Sequence, residues 1–468
     1  MAIDIDPDRL FPVEPAVRSR ARALYDSVAD APIVSPHGHV DPAILLDNRP
    51  FANAAELFIT NDHYVTRLLH AAGIGLQDLG VAVREGDVAA ADPREVWRHF
   101  CDHWSDFSGT ASGGWLRTTF SEILRVDAEP SAAVADQLFE AIADRLWRPE
   151  YRPRALFERF RIEVLATTDD PLDDLAVHRE IAGTAALSGR VIPTFRPDAY
   201  LDPTVPGWRE RVERLTAGVA GDGYRAYLDA LASRREHFLR HGAVSADHGT
   251  LSAEVTHLTE REAAALYDDA RAGRIDAREA ARFAAHMLLE SARMSVEDGL
   301  VMTLHAGALR NHHTDTFRRF GPDTGHDIPV PVDFVRGLRP LLERYGTAPG
   351  FHLVLFGMDE ATASRELAPL AGFYPSVYLG APWWFLDAPD AMMRFRAAVT
   401  ETAGFSRGSG FIDDTRSFLS IPVRHDTARR VDASFLARLV MEGRVTMTEA
   451  ERVIRDSVGD QPRRVFKL

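Results

Sequence analysis

The feature that most constrains the fold of this chain is a series of eight short runs, most of them apolar on both sides of an extended backbone. Helical stretches separate most of these runs. Such runs are typical of strands buried in a parallel sheet that is covered by helices. Eight strands alternating with helices predict an α/β fold of the (β/α)8 TIM barrel type. The eight runs are Pro32–Pro36, Ile162–Thr168, Val191–Phe195, Gly242–Ala246, Leu300–His305, Phe351–Phe356, Ser376–Leu379 and Gly410–Asp413.

The spacing of the runs divides the chain into three segments. Residues 1–40 are predicted to hold an N-terminal helix and the first barrel strand. About 125 residues separate the first run from the second, too many for an ordinary crossover. Residues 41–160 are therefore predicted to form a helical insertion after the first strand. Residues 161–468 would supply the rest of the barrel and the C-terminal helices. The apolar anchors of the insertion are Trp97, Phe100, Trp104 and Phe107.

Charge and residue usage exclude several classes of function. The formal net charge of −15 disfavours nucleic acid or an anionic membrane as partner, because both require a broad basic face. One cysteine, Cys101, excludes a disulfide framework and fits a reducing cytoplasm. The single lysine, Lys467, leaves no internal lysine for a Schiff base or a P-loop. We also find no signal peptide and no membrane span, and expect a cytoplasmic protein.

Two histidines follow the first run directly. His37 and His39 alternate along an extended segment, so both imidazoles face one side, and Gly38 lets the backbone approach a bound group. Asp414 follows the last run and would reach the same place where the barrel closes. Two imidazoles and a carboxylate suit zinc or a similar divalent ion. The alternatives are two solvent-facing histidines and an acidic cap or turn at Asp413 and Asp414.

Further polar residues end other predicted strands. Arg196, after the third run, is suited to bind a carboxylate or phosphate, or to form an ion pair with Asp198. His305 ends the fifth run and would either support a metal site or be an ordinary rim histidine. Asp169 or Asp170, after the second run, is expected to cap a helix.

Acid–base and aromatic residues complete the set of candidates. His63 and Tyr64, in the insertion, could move a proton or contact sugar hydroxyls, or be ordinary helix residues. Trp383, Trp384 and Phe385 follow the seventh run and would either line a sugar pocket or pack the rim.

A set of short motifs occurs in a fixed order along nearly the whole chain. They are HGH (37–39), DHY (62–64), TTDDP (167–171), TFRPD (194–198), DHG (247–249), ALRN (308–311), GPDTG (321–325), WWF (383–385), DTRSF (414–418) and RH (424–425). In order and spacing they resemble the uronate isomerase (glucuronate isomerase) family, a mononuclear-metal branch of the amidohydrolase superfamily.

The resemblance implies an aldose–ketose isomerase that interconverts D-glucuronate with D-fructuronate and D-galacturonate with D-tagaturonate. It implies one divalent metal ion, zinc or a similar ion, held by His37, His39 and Asp414. The substrate contacts that it implies are His63, Tyr64, Arg196, Trp384 and Arg416.

The chain departs from the family pattern at three places. Gly38 stands where Cys is expected in many members. Val65-Thr66 stand where Lys-Trp are expected, and His312-His313 where Asn-Asn are expected. These departures bear on substrate preference more than on the class of reaction.

Proton transfer between C2 and C1 through a cis-enediol assigns catalytic roles to the same residues. Asp414, Tyr64 and His63 are the candidates for acid and base. Arg416 could stabilise the developing oxyanion. Arg196 would clamp the C6 carboxylate.

Two other classes of protein stay open. A metal-dependent hydrolase on the same scaffold would use His37, His39 and Asp414 to activate water. It would need neither a carboxylate clamp nor the His63–Tyr64 pair. A non-enzymatic sugar-acid binding protein would bind without turnover. For the isomerase we expect a small-molecule hexuronate as partner and a homo-oligomeric assembly.

Overall fold

The computed structural model describes residues 3–84, 90–184 and 186–468. Their strands form two parallel sheets and one antiparallel ribbon. The strands are β1 (Ile33–Ser35), β2 (Ile162–Ala166), β3 (Arg190–Ile192), β4 (Ser245–Thr250), β5 (Val301–Ala306), β6 (Ala308–Leu309), β7 (Ile328–Pro329), β8 (Leu353–Phe356) and β9 (Val377–Leu379). The sheets have the orders β1-β2-β3 and β4-β5-β8-β9, and β6 pairs with β7.

Helices surround and connect the strands. They are α1 (Pro15–Asp26), α2 (Ala43–Asp47), α3 (His63–Ala71), α4 (Pro93–Asp102), α5 (Ala111–Thr118), α6 (Ala135–Leu146), α7 (Pro153–Arg159), α8 (Ala176–Thr184), α9 (Asp198–Leu201), α10 (Trp208–Thr216), α11 (Gly223–Arg240), α12 (Glu260–Arg271), α13 (Ala277–Asp298), α14 (Thr314–Phe320), α15 (Phe334–Gly337), α16 (Arg339–Tyr345), α17 (Glu360–Thr362), α18 (Ala368–Phe373), α19 (Pro389–Ala403), α20 (Ile421–Met441), α21 (Met447–Val458) and α22 (Asp460–Phe466). Short 3-10 and π-helical turns join several of them.

The two parallel sheets meet at Phe195. Its amide donates to the Ser245 carbonyl at 3.2 Å, and its carbonyl accepts from the Asp247 amide at 2.9 Å. The two sheets are thus joined at one edge through backbone hydrogen bonds. All six β5 residues are buried, as expected for a strand covered on both faces. The α/β class predicted from the alternating runs is confirmed by this arrangement.

The predicted eighth strand, Gly410–Asp413, is wrong: in the structure this segment is not a strand. Ser409 donates its amide to the Leu379 carbonyl at 2.7 Å, so the chain touches β9 just before the segment. Gly410 then adopts φ +79°, and a Cβ there would lie 2.9 Å from Pro462. The backbone turns at this glycine, which ends the extended geometry that strand pairing requires.

The fourth predicted run, Gly242–Ala246, ends four residues too early. β4 continues through Asp247 and His248, and both side chains are buried. Their polar atoms are bonded inside the fold: the His248 ring lies 3.1 Å from the Thr303 carbonyl. Such partners make the burial of polar groups in a strand tolerable. The other six runs each overlap an observed strand.

Between β1 and β2 the named elements, from α2 to α7, are all helical. Four aromatic residues anchor this part of the chain, and all are buried: Trp97, Phe100, Trp104 and Phe107. The Trp97 indole also donates to the Ala135 carbonyl at 3.0 Å, which ties α4 to α6. The described part of the chain contains no helix that is long and apolar enough to cross a bilayer.

Candidate active site

A cavity of about 450 Å³ opens beyond the carboxyl ends of the strands. Pockets of this size take small organic ligands, and this edge of a parallel sheet is where ligands usually bind. The cavity is lined by every site residue predicted from the sequence. These are His37, His39, His63, Tyr64, Arg196, Trp384, Asp414 and Arg416.

The segments after β1 and β9 bring Asp414 to both histidines of the first motif. Asp414 Oδ1 lies 3.3 Å from His37 Nε2 and 2.9 Å from His39 Nε2. The His39 amide donates to the Thr415 carbonyl at 3.0 Å and so fixes the two segments together. The convergence of these three side chains, expected from strand order, is therefore present in the structure.

His305 at the end of β5 joins this group. One ligand atom from each of His37, His305 and Asp414 lies within 4.8 Å of the others. The His305 ring stacks on His37 at 4.8 Å between centroids. His305 Nε2 is buried without a hydrogen-bond partner within the described residues, and Asp414 Oδ1, although close to both imidazoles, makes no hydrogen bond of good geometry there. Buried lone pairs of this kind fit a cation, and imidazole with carboxylate suits a divalent metal such as zinc.

The protonation states of Asp414 and the histidines beside it also affect how well these residues suit a divalent metal ion. Burial would raise the pKa of Asp414, but His37 and His39 outweigh it and hold this pKa well below its usual value. Burial lowers the pKa of His39 to about 4. Burial would likewise lower the pKa of His37, but Asp247 and Asp414 raise it overall. An ionised carboxylate and a neutral imidazole are the metal-binding forms, so the raised pKa of His37 makes a proton compete with the metal for this ring.

Asp247 lies between His305 and Arg196, and no role was predicted for it from the sequence. It is fully buried, and its Oδ1 accepts from Thr303 Oγ1 at 2.6 Å and lies 2.7 Å from His305 Nδ1. Its Oδ2 lies 3.2 Å from Arg196 Nη1. Burial would raise the pKa of Asp247, but His305, His37 and Arg196 outweigh it and hold this pKa well below its usual value. The signal in the sequence was an acidic residue directly after an apolar run.

Arg196 forms an ion pair with Asp198, which is one of the two roles predicted for it from the sequence. Its Nε donates to Asp198 Oδ2 at 2.9 Å, and its Nη1 faces Asp247. Burial would lower the pKa of Arg196, but Asp198 and Asp247 outweigh it and raise this pKa. A Cβ on Gly249 would lie 2.6 Å from Arg196 Nη2, so a larger residue here would displace this guanidinium from its position.

His63 and Tyr64 begin helix α3, because the Asp62 side chain accepts from the Tyr64 amide at 2.9 Å and caps the helix. The two rings stack at 4.8 Å, and Trp384 lies 5.3 Å from His63. Burial and Arg416 lower the pKa of His63 to about 3, so its imidazole is neutral at neutral pH. Burial raises the pKa of Tyr64, which keeps the phenol protonated.

Arg424 packs against the Tyr64 ring, and no role was predicted for it from the sequence. Its guanidinium lies 5.0 Å from the Tyr64 ring and 4.0 Å from the Trp115 ring. It is fully buried and donates to Asp387 at 3.1 Å and to the Asp413 carbonyl at 2.7 Å. Arg424 therefore links helix α3 of the insertion to the segment that carries Asp414.

Trp384 closes another side of the cavity in an unusual backbone conformation. Its φ of +53° is rare for a bulky residue and is held by the surrounding packing. The Arg310 guanidinium lies 5.1 Å from its ring centroid. Trp384 stacks on Phe385 and lies beside His63 on α3. The aromatic motif thus forms part of the cavity wall.

Asp169 and Asp170 have structural partners, but neither caps a helix that begins at Pro171. Asp169 Oδ2 accepts from Thr167 Oγ1 at 2.7 Å and from the Thr194 amide at 3.1 Å. The next helix, α8, begins only at Ala176. The predicted helix cap is therefore wrong, and the two carboxylates accept hydrogen bonds from other groups instead.

Known proteins resemble this chain over its full length. The family model described as glucuronate isomerase matches residues 16–466. A uronate isomerase of Corynebacterium efficiens is 49% identical over 466 residues, which cover 99% of this chain and 98% of the relative. The crystal structure of glucuronate isomerase from Caulobacter crescentus has a TM-score of 0.97 at 45% identity, covering 100% of this chain and 98% of that one. A uronate isomerase structure from Thermotoga maritima has a TM-score of 0.91 at 28% identity, covering 99% of both chains.

The family match covers the parts of the chain that form the cavity. It extends over both sheets, the helices between β1 and β2 and the C-terminal helices. It also includes every residue that lines the cavity beyond the strand ends. The chain belongs to the glucuronate isomerase family.

Proposed function

We propose that this protein interconverts D-glucuronate with D-fructuronate and D-galacturonate with D-tagaturonate. The observation that carries the proposal is the convergence of acid–base groups, arginines and a His–Asp cluster in one cavity. Family membership shows an isomerase and does not favour the alternative of a hydrolase. An isomerase also needs groups for proton transfer, and His63 and Tyr64 supply such groups beside Asp414.

We propose that His37, His39 and Asp414 hold one divalent metal ion, zinc or a similar ion, and that His305 is a further candidate ligand. The buried and unbonded Asp414 Oδ1 and His305 Nε2 support this assignment. When bound, the ion would supply a Lewis-acidic positive charge to the cavity. Asp247, bonded to His305 Nδ1, would fix the orientation of that ring.

Proton transfer between C2 and C1 requires a base on the substrate's reacting face. Asp414 is ionised and is our candidate for this base. Tyr64 remains protonated and can donate a hydrogen bond or a proton to a substrate oxygen. His63 is neutral and can accept a proton or a hydroxyl hydrogen bond. All three side chains line the same cavity, which allows a single bound sugar to contact them.

Two arginines would meet the negative charges of the reaction. Arg196 and Arg416 both line the cavity. Arg196 would bind the C6 carboxylate, and Arg416 would stabilise the enediolate oxygen as negative charge develops. Trp384, adjacent to His63, would pack on the carbon skeleton of the sugar.

The arrangement of the domains, the assembly and the cellular location belong to the same proposal. Residues 41–160 would form the insertion, and 1–40 with 161–468 the barrel, closed where the His39 amide meets the Thr415 carbonyl. A homo-oligomer is our expectation for the assembly. The cytoplasm is the expected location, since one buried cysteine and no disulfide fit a reducing compartment.

The proposal is tested by incubating the purified protein with each hexuronate, with and without a chelator. We expect each sugar to give the corresponding ketose without consumption of water, and the chelator to reduce the rate. Nuclear magnetic resonance of the sugar carbons distinguishes the ketose from a hydrolysis product. Binding of both sugars without any ketose would instead support the binding protein.

A further inference from the structure

Arg424, on α20, is a buried charged side chain that no step of the proposed reaction uses. Its guanidinium lies over two aromatic rings, 5.0 Å from the centroid of Tyr64 and 4.0 Å from the centroid of Trp115. The two rings meet edge to face at 5.8 Å. A cation over the face of an aromatic ring is attracted to it. Arg424 therefore holds the Tyr64 ring against α5, the helix that carries Trp115.

The same guanidinium also contacts two other segments that contribute to the cavity. Its Nη1 donates to the Asp413 carbonyl at 2.7 Å and to the Asp387 carboxylate at 3.1 Å. Asp413 directly precedes Asp414. Asp387 ends the turn that begins at Trp384, since its amide donates to the Trp384 carbonyl at 3.1 Å. One side chain thus joins the segments that carry an aromatic wall residue and the carboxylate of the His–Asp cluster.

Stability alone does not explain an arginine at this place. Arg424 is buried, and its Nε has no hydrogen-bond partner within the described residues. Burial raises the pKa of Asp387 to about 7, although Arg424 opposes the rise, so the ion pair between them is weak at neutral pH. Replacing a buried ion pair by well-packed apolar side chains is often neutral or stabilising. We therefore look for the role of Arg424 in its effect on Tyr64.

The charge of Arg424 acts on the Tyr64 phenol. Burial raises the pKa of Tyr64, and Arg424 opposes this rise. The other charged groups that act most strongly on the phenol are carboxylates with the opposite effect: Asp387, Asp414 and Asp62. A phenol that gives up its proton gains negative charge, and a fixed cation beside it stabilises that change.

We propose that Arg424 is a positioning residue for proton transfer: its guanidinium fixes the Tyr64 ring relative to Asp414, and its charge stabilises the phenol as the proton leaves for a substrate oxygen. The inference rests on the proposed function, in which Tyr64 donates to the sugar. Among the residues that the structure describes, Arg424 does not line the cavity of about 450 Å³. It therefore acts through Tyr64 and not on the sugar itself.

The first test is kinetic. Arg424→Met removes the charge and keeps the length of the side chain, and Arg424→Lys keeps the charge but loses the planar fork. We expect kcat for glucuronate to fall roughly 10- to 100-fold in Arg424→Met with little change in KM, because a general acid is misplaced, and to fall less in Arg424→Lys. The matched control is Arg429→Met, which removes another buried arginine of α20, one that donates to the Ala29 and Ala31 carbonyls at 2.9 Å.

A double-mutant cycle separates action through Tyr64 from a general structural effect. In the Tyr64→Phe background, Arg424→Met should lower kcat no further. Parental kcat in Arg424→Met, an equal fall in the Tyr64→Phe background, or an equal fall in Arg429→Met would overturn the inference. Thermal midpoints and metal content of all variants control for folding. Should Arg424→Met not fold, Arg424→Lys carries the same comparison.

The second test needs no substrate and so does not depend on the proposed function. Fluorine magnetic resonance is recorded on protein labelled with 3-fluorotyrosine at its ten tyrosines, and the Tyr64 resonance is the one absent from Tyr64→Phe. We expect one sharp Tyr64 resonance in the parent and in Arg429→Met, and a shifted and broadened one in Arg424→Met. A Tyr64 resonance of parental position and width in Arg424→Met would overturn the inference. Turnover of glucuronate by the parent decides the proposed function separately.

Discussion

The Oδ1 atom of Asp247 lies 2.7 Å from Nδ1 of His305, and both side chains are buried. Because this contact occupies Nδ1, it leaves His305 Nε2 for the cluster around Asp414. Carboxylate–histidine pairs of this kind orient imidazole ligands in metal sites. The same aspartate also contacts Arg196, so one buried carboxylate connects the His–Asp cluster to our candidate for binding the substrate carboxylate.

The first prediction concerns Asp247→Asn, which keeps the shape of the side chain and removes its charge. We expect metal affinity to fall by roughly 10- to 100-fold, the usual effect of losing such an outer partner. Competition with a chelator of known affinity measures the change. The thermal midpoint of the metal-free variant serves as the control for folding. Parental metal affinity in a folded variant would show that Asp247 does not orient a ligand.

The second prediction concerns the number of metal ions. His37 and His39 both contact Asp414 Oδ1, so we expect about one divalent ion per chain. Replacing both histidines with Ala should abolish stoichiometric binding while β1, which they follow, stays folded. Elemental analysis of dialysed protein gives the count. Two tightly bound ions per chain would contradict a mononuclear site.

The fold was predictable from the sequence where hydrophobic runs mark the strands. The prediction was wrong where the local backbone conformation decides whether a strand forms. The ends of β1 and β5 agree within a residue or two with the apolar runs that predicted these strands. Gly410–Asp413 is also apolar at its start, but Gly410 turns the chain, and a φ angle cannot be deduced from apolar character. The predicted fourth strand was too short, because the charge of Asp247 indicates the end of a buried strand. Its place inside the strand is understood only from its contacts with Thr303 and His305.

The site was predictable where residues follow strands in register, because parallel strands end at one edge. His37, His39 and Arg196 belong to this class. Arg424 was not assigned a role, since its role depends on a contact with Tyr64, which is distant in sequence. No local pattern records such contacts.

The third prediction concerns Arg196→Ala. Removing this guanidinium should cost a charge-assisted interaction of roughly 1.5–3 kcal/mol, or about 10- to 150-fold in kcat/KM for glucuronate. Steady-state kinetics with saturating metal measure the effect. Kinetics equal to those of the parent would remove Arg196 from the substrate site.

The fourth prediction concerns the pH dependence of stability. The pKa of His63 is lowered to about 3 in the folded protein, so below about pH 6.5 the unfolded chain binds a proton that the folded chain does not. The contribution of His63 to folding is therefore fully present above that pH and is lost as the pH falls toward 3. Each pH unit in this window removes up to about 1.4 kcal/mol.

His63→Gln should remove this dependence, so its unfolding free energy should fall less steeply than that of the parent between pH 6.5 and 4. Denaturant unfolding of metal-free protein at several pH values measures both slopes. His70→Gln, a change on the same helix at a largely exposed ring, is the control and should follow the parent. Parallel slopes for His63→Gln and the parent would show that His63 titrates normally in the folded state.

The last prediction separates two roles of Asp414, metal ligand and base. Asp414→Asn keeps one coordinating oxygen but removes the charge and the basicity. If Asp414 only holds the metal, excess metal should restore much of the activity. If it is also the base, turnover should stay roughly 10²–10⁴-fold lower at full metal occupancy.

We expect the second outcome, because Asp414 is held ionised by His37 and His39, while Tyr64 stays protonated. A carboxylate with a depressed pKa is a weak base, so its efficiency depends on its position close to C2 rather than on its strength. Metal content and turnover are measured on the same sample, and isomerisation in deuterated water follows exchange at C2. A metal-loaded Asn variant with near-parental turnover would leave Asp414 as a ligand and transfer the role of base to His63 or Tyr64.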